Sequence, residues 1–160
     1  MAKQEIEIHD SELKSVTVSD GNIVLELSPA YIHMSDGRPG IDAGTGWLQN
    51  AVIRVRDGEI FGSINELPCT LWDGHLKVSD ELFDNLVPIP LDSAGNIALE
   101  LTSISGETLQ VRGNRITLEV LGEAKYIEEF PVLKRLSPGL QLTKSGEKAS
   151  NLACLGTDIG

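Results

Sequence analysis

The sequence predicts an all-β fold: a single antiparallel β-sandwich or partly closed barrel of about nine to eleven strands, with at most one short helical turn. Three observations predict it. Apolar and polar residues alternate along most of the chain up to Pro131, the period of a strand with one buried face. Turn dipeptides such as Asp20-Gly21, Asp57-Gly58, Asp73-Gly74 and Gly113-Asn114 recur between the alternating runs. Helical crossovers, which parallel strands require, are missing.

The elements follow in order. Ile6 and Ile8 share one face of a first strand, and Leu13, Val16 and Val18 supply a second, up to the turn Ser19-Asp20-Gly21-Asn22. Ile23, Leu25 and Leu27 align on the next strand. Pro29 lacks a ladder donor and is expected to interrupt it, leaving Tyr31 to Met34 as a short extension. Trp47 to Arg56 and Glu59 to Ile64 read as a hairpin about Asp57-Gly58. Asp73-Gly74 marks another turn before His75 to Val78. Ser79 to Leu86 is the one place for a helical turn, with Ser79 as N-cap and acids in the first turn. Pro88 and Pro90 confine Val87 to Leu91 to an edge or bulged strand. Asn96 to Ile104, Thr108 to Arg112 and Arg115 to Leu121 form a three-strand meander, and Gly122 to Pro131 a last strand.

At 160 residues and 17.3 kDa the chain is the size of one domain. The apolar fraction of 41% with 23% charged residues is that of a globular protein. The domain is expected to span residues 1–133. Residues 134–160 are rich in Ser, Gly and Lys and read as a loosely docked or disordered tail.

The net charge of −11 argues against nucleic acid, whose phosphates need clustered Lys and Arg. It favours a basic protein partner, because opposite charge speeds encounter. From Lys134 onward four basic residues face Glu147 and Asp158, so that segment carries +2 and the first 133 residues −13. No run approaches a membrane span, and two cysteines outside any C-x-x-C pair suit a reducing compartment, so a cytoplasmic location is expected.

The stretch Ser35 to Gly46 is the most unusual. Its glycines at 37, 40, 44 and 46 admit close backbone approach, and Asp36, Arg38 and Asp42 supply charge. It matches neither a phosphate loop nor a calcium loop. A glycine-rich Ω-type loop held by its own turns, with Arg38 paired to an Asp, is the structural reading. The functional reading makes His33, Asp36, Arg38, Asp42 and Trp47 a binding region.

The three histidines lie apart and lack metal-ligand spacing, so no metal or other cofactor is expected. His9-Asp10-Ser11 fails as a triad, because on a strand Asp10 points away from its neighbours. Trp47 and Trp72 are read as core or loop anchors in preference to a sugar-stacking surface.

Ile8-His9-Asp10-Ser11-x-Leu13, the stretch from Pro29 to Trp47, Asp73-Gly74, and Gly122-Glu123-Ala124-x-Tyr126-Ile127-Glu128-x-Phe130 resemble a family of small bacterial all-β proteins of unknown function, over residues 6–131. The opening also resembles predicted immunity proteins of bacterial toxin systems. The first resemblance implies a domain limit and a bacterial source but no active site. The second implies a partner to be neutralised.

The expected function is therefore a non-enzymatic protein-binding domain that occludes a basic partner, with Asp36 to Trp47 as its contact region. A small-ligand-binding barrel with His33, Arg38 and Trp47 at its mouth is the alternative, and an enzyme of unrecognised type the third reading. Unblocked strand edges leave a homodimer open.

Overall fold

Ten strands account for most of the described residues in a computed structural model of the protein, which describes residues 2–131. They are β1 (Lys3–Glu7), β2 (Glu12–Ser19), β3 (Asn22–Ser35), β4 (Gly44–Arg56), β5 (Glu59–Gly62), β6 (Cys69–Val78), β7 (Glu81–Asp84), β8 (Leu86–Ile89), β9 (Leu91–Ser103) and β10 (Thr108–Phe130). The chain divides into one unit ending at Glu129 and another beginning at Phe130. The tail expected from residue 134 lies outside the described residues. Among these, no helix is long and apolar enough to cross a membrane.

All ten strands belong to one antiparallel sheet, ordered β2-β6-β9-β10-β4-β3-β1-β8, with β5 on β10 and β7 on β6. β2 also pairs with β3, from Leu13↔Leu27 to Ser19↔Asn22. That pairing closes β2, β6, β9, β10, β4 and β3 into a ring. A ring of so few strands has an interior only as wide as its side chains. Leu13, Leu25, Ile32, Val55, Leu71, Leu101 and Val111, each at most 1% exposed, help fill it.

The predicted alternation is visible in β3, where Ile23, Leu25 and Leu27 are buried. Its hairpin with β2 uses Asp20 at φ 53° and Gly21 at φ 80°, the two positive values that a two-residue turn between twisted strands requires. β8 is an edge strand, as Pro88 dictates.

Five local expectations are corrected. Pro29 does not end β3: the strand continues to Ser35 through a register irregularity between Leu27 and Ala30. That slip moves burial from odd to even positions, so Ala30 and Ile32 face the core. Gly113-Asn114 is not a turn, since β10 runs through it with a register shift between Gly113 and Arg115, and the expected three-strand meander is two long strands. Asp73-Gly74 lies inside β6 at a similar shift. β5 pairs with β10 although a turn at Asp57 leads into it. Ser79 does not cap a helix: with φ 54° it turns β6 into β7, and cross-strand pairing absorbs Glu81–Asp84.

Candidate functional site

Loop 36–43 joins β3 to β4 and is shorter than predicted, because Ser35 and Gly44 belong to the strands. It is braced from within. The Ser35 hydroxyl donates to the Ala43 carbonyl at 2.6 Å and accepts from Gly37 N–H. The Asp42 carboxylate accepts from the Arg38 backbone N–H at 2.7 Å, a main-chain bond and not the side-chain pairing of Arg38 that the sequence led one to expect. Asp36, Arg38 and Ile41 are exposed at its tip, whereas Asp42 is half-buried.

His33 and Trp47 do not share a mouth with Arg38. His33 pairs with Gly46 and Trp47 with Ile32, so alternation puts the two side chains on opposite faces of the sheet. Trp47 packs against the core and edge-on to Tyr126 at 5.4 Å, while its indole N–H donates to the Thr45 hydroxyl.

His33 instead joins a polar cluster on the outer face of β1 and β3. Cross-strand pairs Glu5↔His33 and Glu7↔Tyr31 assemble it. His33 Nε2 lies 2.5 Å from Glu7 Oε1. Burial pushes the Glu7 carboxyl up, but the hydrogen bond and charge of His33, with Asn85 and His9 adding to them, outweigh it and hold the group below the usual glutamate range. Burial wins at Glu5, whose carboxyl is pushed up although His33 and Lys3 oppose it. Tyr31 donates to Glu128 at 2.6 Å, and burial together with that acceptor raises its phenol above the ordinary range.

The turn between β1 and β2 links this cluster to an exposed tryptophan. His9 N–H donates to the Asn85 side chain, and the His9 ring stacks edge-on with Trp72 at 5.1 Å while its Nδ1 lies 2.6 Å from the Trp72 carbonyl. Ser11, fully buried, donates to the Glu7 carbonyl and accepts from Tyr31 N–H. The strand expected to separate His9, Asp10 and Ser11 is not formed: they lie in the turn between β1 and β2, with Asp10 at φ 78°.

Trp72, expected as a core or loop anchor, is instead exposed. Leu71 pairs with Ser103 and Asp73 with Thr102, so Trp72 is the extra residue of a β-bulge and is pushed outward. It is 58% exposed, and Ile104 beside it is 65% exposed. Together with Thr102 and Ser103 they line a shallow depression. Asp73, which follows Trp72 in the chain, and Asp10, whose backbone N–H bonds the Leu71 carbonyl, are both exposed. The signal that betrays the bulge is a phase slip, since buried Leu71 and Leu76 stand an odd number of residues apart on one strand.

No protein-family model, no curated protein and no solved structure matches the chain.

Proposed function

We propose that this β-domain is a non-enzymatic protein-binding module of the bacterial cytoplasm, which occludes a basic partner in the manner of an immunity protein. The observation that carries the reading is the bulge that displays Trp72, which lines one depression with exposed Ile104 and is followed in the chain by exposed Asp73. Tryptophan dominates binding energy at interface centres, and a polar or charged rim around it is the usual anatomy. The acidic balance of −13 over the first 133 residues steers a basic surface toward it. Asp36, Arg38 and Ile41, exposed at the tip of loop 36–43, are a second contact. A reducing compartment agrees with the free thiol of Cys69, which burial raises above the ordinary cysteine range.

The test is co-purification from the native host with wild type and with a Trp72→Ala/Ile104→Ser double variant, each first shown to be folded by circular dichroism. Both side chains are exposed, so the variant is expected to fold. A single basic protein that wild type retains at low salt, that higher salt weakens and that the variant loses is the expected result. Equal retention by the variant, or no protein retained by wild type, overturns the proposal.

A further inference from the structure

Outside that surface, five strands lie side by side in the order β7-β6-β9-β10-β5. Register aligns one row across them, Leu82↔Lys77↔Ala98↔Arg112↔Glu59, and alternation sets this row on the face opposite the buried Leu76, Leu99 and Val111. Ala98, the smallest member, makes a dip with a cation on either side. Two strand spacings put the Cα atoms of Lys77 and Arg112 about 10 Å apart, close enough for both heads to reach one group over Ala98.

Depressions of about 240 Å³ and 490 Å³ meet here, and Lys77, Ala98 and Arg112 line both. In a chain of net charge −11, neither Lys77 nor Arg112 makes an ion pair among the described residues. The nearest acid in the smaller depression is already engaged: Glu100 is bonded by His75 at 3.0 Å and by Gln110 at 3.0 Å. Arg112 is held over the Phe61 ring at 5.5 Å, which limits the freedom it would lose on binding. Leu82, 60% exposed, offers an apolar wall.

We propose that this face binds a small organic anion. Its carboxylate or phosphate monoester sits over Ala98 between Lys77 and Arg112, and its apolar body lies against Leu82. Asp80 in the larger depression, with Glu59 at the end of this row beside Arg112 and Asp84 at the end of the next row on the same face, repels extended polyanions and restricts the site to a compact ligand. The proposal does not rest on the Trp72 surface.

The experiment titrates the isotopically labelled full chain with phenyl phosphate, phenylacetate and neutral benzyl alcohol, following backbone amide shifts. Saturable shifts at Lys77, Ala98 and Arg112 with either anion, and none with the alcohol, are expected. The tighter anion names the phosphate or the carboxylate as the natural group. Lys77→Ala/Arg112→Ala should weaken binding about tenfold or more, whereas Lys14→Ala, on β2, should leave it unchanged. Equal shifts with benzyl alcohol, no saturable shift at these amides, or undiminished binding by the double variant overturns the assignment. Because every arm is read on amide spectra, a variant that fails to fold is recognised directly, and single Arg112→Lys, which keeps the charge but loses the fork, then replaces it with weaker binding expected and undiminished binding overturning.

Discussion

His33 Nε2 and Glu7 Oε1 lie 2.5 Å apart across β1 and β3, Glu7 standing two residues along β1 from Glu5, the cross-strand partner of His33. The two glutamates therefore face the same imidazole with opposite outcomes, Glu7 held below the ordinary carboxyl range and Glu5 pushed above it.

Glu7→Gln and Glu5→Gln are accordingly predicted to change stability in opposite directions. A folded pKa below the unfolded value contributes stability that is present above about pH 4.3 and is lost as the pH falls through the folded value. Glu7→Gln should therefore cost about 1–2 kcal/mol at neutral pH, with the gap to wild type closing in acid. The Glu5 carboxyl, raised by burial, costs stability once ionised, so Glu5→Gln should raise it at neutral pH and have no such effect in acid. Urea midpoints at about pH 7 and about pH 3 check both signs.

Ser11→Ala should destabilise the domain by about 2 kcal/mol. Its hydroxyl is fully buried and joins the Glu7 carbonyl to Tyr31 N–H, so the substitution leaves a donor and an acceptor unpaired without opening a cavity of note. A Ser11→Ala change within a few tenths of a kcal/mol of wild type in urea unfolding would contradict this account.

What was legible in the sequence was the local physics. Ile23, Leu25 and Leu27 announce a strand by their period, and Asp20-Gly21 turns because both residues adopt positive φ. The same dipeptide chemistry misled at Gly113-Asn114 and Asp73-Gly74. None of those four residues has positive φ; each pair accommodates a register shift inside a continuous strand. A turn dipeptide permits a reversal without compelling it, and pairing with β9 decides. The site was less legible because it is non-local. Glu7 meets His33 only through the β1–β3 register, and Trp72 is exposed only because one residue is inserted opposite Ser103 and Thr102. The phase slips between Leu27 and Ala30 and between Leu71 and Leu76 mark such insertions, yet a slip is read with certainty only once the pairing is known.

Gly44→Ala should destabilise β4 where it leaves the loop. A Cβ there would overlap the Met34 carbonyl oxygen, which belongs to the paired β3 backbone and cannot swing aside. The expected cost is about 1–3 kcal/mol. Gly21→Ala is a useful contrast, because a Cβ at that position meets nothing within 4 Å and strain at φ 80° is its whole penalty. Thermal unfolding should show both variants less stable than wild type, and amide NMR spectra should show broadened or lost signals around Met34 and Thr45 for Gly44→Ala alone.

Tyr31 provides a check at the alkaline end. Its phenol donates to Glu128, and burial together with that carboxylate pushes its ionisation above the ordinary tyrosine range. A raised folded pKa contributes stability that is complete below the unfolded value, about 10, and is lost as the pH rises through the folded one. Wild type should therefore lose stability above about pH 10 more steeply than Tyr31→Phe. Absorbance titration at the phenolate band should show a late-ionising tyrosine that Tyr31→Phe removes. Glu128→Gln should shift that ionisation downward without abolishing it, because burial acts independently of the carboxylate. A late phase that survives Tyr31→Phe would place the perturbed phenol at Tyr126 and break the link between β3 and the end of β10.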